Sequence, residues 1–338
     1  MRSIMVILLG LLLASALATG SPARAVGAQV IVLSNSSPHL SVIDTRTHQV
    51  VKTADIPQMT SWTWNDDNNY SDGLHLWLGM RNPDTNDVEV VLLDLNTLQI
   101  ARRIPLGKDA VTLYIGKPSK QGRVLVSKHA SGEVVAIDSK TVTVQRTVKV
   151  LTGTGVACDM DVATGPDGIE RAFVPTNDGN EVLSLDPSSL QTLRTRKFSD
   201  TLPFMLTASP GGSHVWVQER TGHSLTILDT RTLQVVKRLP AGRTPIVGTF
   251  SPDGTLHFTG HAADTVVMAN DTKTFKEVWR ARVGTSPDKL GVHPAGTFVY
   301  AALSREGAVA VLDARTGKVV LRVSLGTNPV GIFVRPVQ

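Results

Sequence analysis

A chain of 338 residues, 41% of them hydrophobic and 19% charged, has the composition of a globular protein with a large core, which excludes a disordered one. Its single cysteine excludes an intrachain disulfide framework and a C-x-x-C-H haem attachment. The formal charge of +5 leaves open whether the surplus is gathered into a patch or spread.

At the N-terminus Arg2 precedes an apolar run from Ile4 to Leu17, followed by the A-x-A sites Ala16-Leu17-Ala18 and Ala23-Arg24-Ala25. That is the layout of a secretory signal peptide, and the apolar run is short for a membrane span. Residues 1–25 are therefore expected to be removed, with the mature chain starting near Thr19 or Val26, in the periplasm or outside the cell. Residues 14–30 hold no cysteine for a lipid anchor. No later run reaches membrane length, so no transmembrane segment is expected after cleavage. Cys158 reads as a small buried hydrophobe.

From Ser41 onward one motif recurs. It reads VIDTRTHQVV around Asp44, LLDLNTLQIA around Asp94, AIDSKTVTVQ around Asp138 and SLDPSSLQTL around Asp186. It continues as ILDTRTLQVV around Asp229, ANDTKTFKEV around Asp271 and VLDARTGKVV around Asp313, at spacings of 50, 44, 48, 43, 42 and 42. Three residues after each aspartate stands a hydroxyl: Thr47, Thr97, Thr141, Ser189, Thr232, Thr274 or Thr316. An aspartate at the same hairpin of every copy cannot serve one active site. It is expected to accept N–H groups two or three residues on, with the hydroxyl closing the same turn.

The unit from Gly242 to Gly284 shows what surrounds the motif. It predicts a strand over Pro245–Phe250, a turn at Ser251-Pro252-Asp253-Gly254, and a strand over Leu256–Thr259. A polar loop, a strand over Thr265–Ala269, the turn at Asp271 and a strand over Glu277–Val283 complete it. Four antiparallel strands per copy make a propeller blade, and seven copies make an all-β, seven-bladed β-propeller over residues 26–338. The first copy begins with its second strand, QVIVLSN, whereas NPVGIFVRP (Asn328–Pro336) is left over as a first strand. Joining the two closes the ring and leaves no open edge between first and last blades.

The last copy carries a Gly-x-x-Pro start, a small apolar first strand, a Pro-x-Gly turn, Val-Tyr-Ala-Ala and Leu-Asp-x-x-Thr, in GTSPDKLGVHPAGTFVYAALSREGAVAVLDARTGKVVLRVSLGTNPVGIFVRP. In these features the chain resembles the YVTN repeat β-propellers of bacteria and archaea, over nearly all of its mature length. The resemblance implies the fold and leaves function open, because scaffolds, binding proteins and enzymes all occur in that family.

In a repeated ring, function is expected where the repeat is broken. The Asp94 copy departs most, with NDDNNYSDG (Asn65–Gly73) between its first strands and a lengthened RNPDTNDVE loop. Asp66, Asn68 and Asp72 offer oxygens at even spacing that could hold calcium, or could form a solvated loop of Asx turns. Trp62 and Trp64 before it are expected in inter-blade packing. In the Asp186 copy the first strand reads VACDMDVATG, with Asp159 and Asp161 where the Asp313 copy has Pro287 and Lys289. That pair could bind a cation near the channel. The favoured reading is a pair of carboxylates satisfied by N–H groups of the neighbouring blade.

Propeller ligands sit where the second-to-third strand loops converge on the channel mouth. The expected contacts there are Lys128, His129, Glu219, Arg220, His261 and Arg305, polar, mutually different and set over a rigid ring. Histidines from several blades could meet at a metal, but no H-x-x-H pair or Cys/His cluster supports one, and no cofactor is expected. The chain has no G-x-S-x-G elbow and no glycine-rich phosphate loop. Lactonase-type propellers resemble HPAGTFVYAALSRE but carry a glutamate soon after the tyrosine strand, where this chain has Leu303 and, further on, Glu306.

Lysine and arginine gather in the fourth strands, as at Lys52, Arg146, Arg194, Lys237 and Arg322, a belt expected to discourage edge-to-edge pairing, with contact to an anionic surface or polysaccharide as the alternative and no nucleic-acid patch expected. The expectation is a monomeric, exported binding scaffold with a protein or small-molecule partner in the cell envelope and no nucleic-acid partner. The alternative is a lactonase-like hydrolase or lyase, or the scaffold subunit of a cofactor-dependent oxidoreductase.

Overall fold

A computed structural model describes residues 27–34, 39–56, 61, 62, 70–82, 84–109, 113–151, 156, 157 and 159–337. The expected signal peptide, Trp64 and Cys158 lie outside the described residues. Runs of β-branched and aliphatic residues, cut by Asp, Gly and Pro turns, form strands and no helix among the described residues. None of these elements is therefore a helix long and apolar enough to cross a membrane.

The chain opens with β1 (Ala28–Ser34), β2 (His39–Asp44) and β3 (Gln49–Asp55). Blade 1 is β4 (Ser61–Trp62), β5 (His75–Arg81), β6 (Val88–Asp94) and β7 (Ile100–Pro105). Blade 2 is β8 (Leu113–Pro118), β9 (Arg123–Lys128), β10 (Glu133–Asp138) and β11 (Thr143–Lys149). Blade 3 is β12 (Asp161–Thr164), β13 (Glu170–Thr176), β14 (Glu181–Leu185) and β15 (Thr192–Lys197). Blade 4 is β16 (Pro203–Ala208), β17 (His214–Glu219), β18 (Ser224–Asp229) and β19 (Val235–Pro240). Blade 5 is β20 (Pro245–Phe250), β21 (Leu256–His261), β22 (Val266–Asp271) and β23 (Glu277–Arg282). Blade 6 is β24 (Pro287–Val292), β25 (Phe298–Leu303), β26 (Ala308–Asp313) and β27 (Val319–Ser324), and β28 (Pro329–Pro336) follows.

Blades 1–6 are four-stranded antiparallel sheets in chain order, and blade 7 is ordered β28-β1-β2-β3. The β1–β28 ladder runs from Ala28 opposite Pro336 to Ser34 opposite Pro329. The ring thus closes from both ends of the chain, as the register of the repeats requires. Within a blade the second and third strands are buried and the fourth is exposed; β18 is covered up to Asp229, while Val235 to Arg238 of β19 face solvent. Basic side chains on those outer strands reach sideways. Lys52 Nζ, Arg146 Nη1 and Arg194 Nε donate to the carbonyls of Asn96, Ser189 and Arg231 in the next blade, at 3.1, 3.2 and 2.9 Å.

The seven aspartates sit at the turns between third and fourth strands. Asp94 Oδ1 accepts the N–H groups of Asn96 and Thr97, both at 2.8 Å, and Asp138 those of Lys140 and Thr141 at 2.9 and 2.8 Å. Asp44, Asp186, Asp229, Asp271 and Asp313 repeat the arrangement. The hydroxyls of Thr97 and Thr232 accept in turn from the N–H groups of Gln99 and Gln234, at 3.3 and 3.2 Å.

A second rule of the turn was not legible in the sequence. The residue four after each aspartate is left-handed, and in six blades it is not glycine: His48, Leu98, Val142, Leu190, Leu233 and Phe275 have φ between 54° and 60°. Each of these residues sends its N–H back to the aspartate's carbonyl, and its side chain packs on the preceding blade. Leu98 packs with Ile31 and Leu33, Leu233 with Phe173 and Val182. Left-handed strain costs about 1–2 kcal/mol and burying a leucine contributes about 1.5–3 kcal/mol, so packing wins. Blade 6 reverses the contact. Its turn has Gly317, and Trp279 from the preceding blade fills the vacant volume while donating Nε1–H to the Ala314 carbonyl at 3.0 Å.

Candidate functional site

The second strands of blades 2, 4 and 5 end on Lys128, Glu219 and His261. In β21 the strand continues past the expected end at Thr259, because His261 still pairs with Pro245 on one side and Val266 on the other. Lys128, Glu219 and His261, expected on loops, are therefore strand residues only 6%, 1% and 0% exposed. Lys128 Nζ lies 2.8 Å from Glu133 Oε2. Glu219 accepts from the Thr226 hydroxyl and, at 2.8 Å, from Arg238 Nη2. His261 is fully buried, and that burial, then the charge of Arg280, holds its pKa down at about 4.

The mouth is built one residue further along. His129, Asn177, Arg220, Ala262 and Ser304, supplied in turn by blades 2 to 6, line a single cavity of about 590 Å³ together with Arg305. Three of the six expected contacts, His129, Arg220 and Arg305, are thus brought together, and three are not. The inner strands supply the remaining wall, also at one position per blade: Tyr114, Phe204, Ile246 and Asp288, with Lys289 beside the last. Superimposing the copies on the first residue of each inner strand would have found this second ring in the sequence.

His129 Nδ1 is 3.1 Å from the Ala157 carbonyl, so it carries the hydrogen and leaves Nε2 as the acceptor. Burial lowers its pKa, which keeps the ring neutral, and the ring lies 5.9 Å from that of Tyr114. Arg220 lays its guanidinium 4.8 Å over the Phe204 ring and has no ion pair among the described residues. Among the described residues Arg305 has no ion pair and no side-chain hydrogen bond either. Asp288 takes the hydroxyl of Ser304; burial raises its pKa, while that hydrogen bond and the charges of Lys289 and Arg305 pull it back. Asn177 holds a buried Oδ1 without a partner among the described residues at the same cavity.

The paired acids of blade 3 have a structural use. Asp159 Oδ2 accepts the Leu206 N–H and Asp161 Oδ2 the Ala208 N–H, both at 2.9 Å and both from β16 of the neighbouring blade. Lys117 of β8 reaches Asp161 from the other side at 3.0 Å. The register also differs from the expected one. Asp161 faces Phe173 as Gly291 faces Tyr300, so it is Asp159 that corresponds to Lys289.

Of the proposed calcium ligands, Asp66 and Asn68 lie outside the described residues. Asp72 closes a turn, its Oδ1 accepting from the N–H groups of Leu74 and His75 at 2.9 and 2.6 Å. Among the described residues no three His, Cys, Asp or Glu side chains converge as a metal site. Leu303 is fully buried, and Glu306 accepts the Thr285 N–H at 2.5 Å. At the other end of the inner strands a cavity of about 520 Å³ carries Lys117 as the one charged residue of its described lining, and that lysine is already paired.

Fold and site together define a seven-bladed β-propeller with a ligand-sized cavity at one channel mouth. No protein-family model matches the sequence, and no curated protein matches it. Among solved structures the chain is similar to Kuenenia stuttgartiensis hydrazine synthase, at 16% identity and TM-score 0.64 over 84% of this chain and 97% of that one. It is similar to a candidate 6-phosphogluconolactonase of Bacteroides uniformis, at 14% identity and TM-score 0.70 over 92% and 100% of the two chains. A protein of unknown function from Desulfotomaculum acetoxidans matches at 12% identity and TM-score 0.71 over 92% and 99%. At such identities the likeness extends to the fold alone.

Proposed function

We propose that this chain is an exported propeller of the YVTN repeat kind, acting in the periplasm or outside the cell as a binding scaffold. Its partner engages the mouth at His129, Arg220 and Arg305. The observation that carries the reading is that one repeat position from five successive blades lines one cavity with five different residues. Positions under a folding constraint alone stay alike from blade to blade, as the seven turn aspartates do. Unlike side chains held over a rigid ring are what recognition requires, and about 590 Å³ lies within the ~300–1,000 Å³ of small-molecule sites. The layout of residues 1–25 supports export.

The test is native mass spectrometry of protein recovered from the cell envelope or medium of its own host, beside the triple variant His129→Ala, Arg220→Ala, Arg305→Ala. A mature N-terminus near Thr19 or Val26, and a bound species that the triple variant loses, are expected. A species retained by the triple variant would remove the mouth assignment.

A second reading, a lactonase-like hydrolase or the scaffold subunit of a cofactor-dependent oxidoreductase, draws support from Asp288, a buried acid of raised pKa in the same cavity as neutral His129. Metal and chromophore analysis of the host-derived protein, with a lactone hydrolysis assay of Asp288→Asn, separates the two. Stoichiometric metal, colour or Asp288-dependent turnover supports the enzyme, and their joint absence supports the scaffold.

A further inference from the structure

We propose that the mouth is a site for a small organic anion, a carboxylate or phosphate on an apolar body, held between Arg220 and Arg305. This deepens the scaffold reading and rests on the mouth being the ligand site.

The first support is charge. Among the described residues the cavity is lined by three cations, Arg220, Lys289 and Arg305, against one acid, Asp288. That acid is turned to the Ser304 hydroxyl, so one of its oxygens is already engaged within the protein. Elsewhere on this face the chain pairs its cations with acids: Lys128 with Glu133, Arg238 with Glu219, and Arg243 with Asp264 at 2.7 Å. Among the described residues Arg220 and Arg305, at the cavity itself, have no such pair.

Geometry is the second support. Lying on Phe204, the Arg220 guanidinium is oriented by the ring face, and its N–H edge stays available for two parallel bonds to a carboxylate or phosphate. An arginine fixed in this way loses less side-chain entropy on binding than a free one. Arg305 stands two blades away, so an anion between them would be gripped from two sides.

The third support is the wall. Phe204, Ile246 and Tyr114 present apolar surface beside the two cations, and Asn177 adds a buried carbonyl oxygen that still needs a donor. An inorganic ion would leave the apolar surface wet and Asn177 unsatisfied. A hydroxyl-bearing organic anion would cover the one and donate to the other.

The probes are benzoate, phenyl phosphate, neutral benzamide and cationic benzylamine, titrated into isotopically labelled full-length protein and followed by the amide signals of Phe204, Ile246 and Arg305. Benzoate or phenyl phosphate is expected to bind at least about tenfold more tightly than benzamide, and benzylamine not at all. Arg220→Gln and Arg305→Gln should each weaken the anion about tenfold, with binding falling as salt rises. Both arginines are exposed, so unchanged thermal unfolding will confirm that the variants are intact. The ratio of phenyl phosphate to benzoate affinity distinguishes a phosphate from a carboxylate ligand. Benzamide or benzylamine binding as tightly as the anions, or anion binding indifferent to both variants, overturns the anion assignment while the mouth remains a ligand site. If no probe of any charge shifts those signals, both readings fall.

Discussion

The indole of Trp279 occupies the space in which a side chain at Gly317 would stand: a Cβ there would meet Trp279 Cε3 at 2.5 Å and Cδ2 at 2.6 Å. The φ of +72° at Gly317 is not what demands glycine, since leucine, valine, phenylalanine and histidine adopt the same conformation at this turn in the other blades. Occupied volume demands it. Gly317→Ala is expected to lower unfolding free energy by about 2 kcal/mol, through overpacking and left-handed strain together. Trp279→Ala should cost about 3 kcal/mol by leaving a cavity. Combining Trp279→Ala with Gly317→Leu re-creates the contact of the other blades and should recover part of that loss. Urea unfolding of the wild type, Trp279→Ala, Gly317→Leu and the double variant closes the cycle, and strictly additive effects would show that the two positions do not share one volume.

Asp161 ties three inner strands at one carboxylate, through the Ala208 N–H, Lys117 and its own place in β12. It is fully buried. Asp161→Ala leaves the Ala208 N–H without an acceptor and should cost about 2–3 kcal/mol. Asp161→Asn keeps an amide oxygen for that N–H, gives up the lysine charge and should cost less, about 1 kcal/mol, because Lys117 is half-exposed. Thermal unfolding should rank wild type above Asn above Ala. An Ala variant as stable as the Asn variant would mean that the N–H finds another acceptor.

Acid sensitivity should come from two histidines. Burial depresses His257 to about 3, and burial with the Arg280 charge depresses His261 to about 4. Between those values and the ordinary histidine range the unfolded chain binds protons that the folded chain refuses. Stability is therefore full above roughly pH 6.5 and falls as the pH drops, by up to about 1.4 kcal/mol per histidine per pH unit. Burial lowers His48, His129 and His214 as well, which adds in the same direction. By pH 5 the two buried rings alone imply a loss of roughly 4 kcal/mol. His257→Gln should flatten the profile measured by urea unfolding at pH 7.5, 6 and 5; equal stability at all three pH values in the wild type would sink the assignment.

What the sequence made legible was chemistry repeated at a fixed offset. Asp94 and Thr97 stand three residues apart in every copy's version, and local hydrogen bonds need no more than that. The outer strands were legible for the same reason, as runs of Val, Lys and Arg. The mouth was legible only to within one residue. Lys128, Glu219 and His261 look like loop residues because they are polar at strand ends, yet the partners that let Lys128 and Glu219 stay buried, Glu133 and Arg238, arrive from other strands of the same blade. The pairing of Trp279 with Gly317 was not legible at all, since complementary volume between two blades leaves no pattern in either segment. Nor were the left-handed leucines, where burial overrides a backbone preference that favours glycine.

Ring closure yields the last prediction. β28 supplies the innermost strand of blade 7, where Val330 and Ile332 are 2% and 1% exposed, and it covers the edge of β1 along its whole length. Removing residues 328–338 would uncover Ile31 and Val32, leave β1 as an open hydrophobic edge and break the contact between blades 6 and 7. The loss, of more than about 5 kcal/mol, is comparable with the whole stability of an ordinary domain. The truncated protein is expected to aggregate or to elute as mixed oligomers on size exclusion, as an unprotected edge strand would dictate. Loss of eleven residues is not by itself the cause, and a circular permutant can show this. Val337 N–H donates to the Gly27 carbonyl at 2.7 Å, so a short turn can join the end of β28 to β1. A chain running from Asn328 through that turn to Thr327 makes blade 7 continuous and keeps every strand. It should elute as a compact monomer with the wild-type far-ultraviolet dichroism, whereas a permutant as unstable as the truncation would show that the continuity between blades 6 and 7, and not the β1–β28 pairing, holds the ring shut.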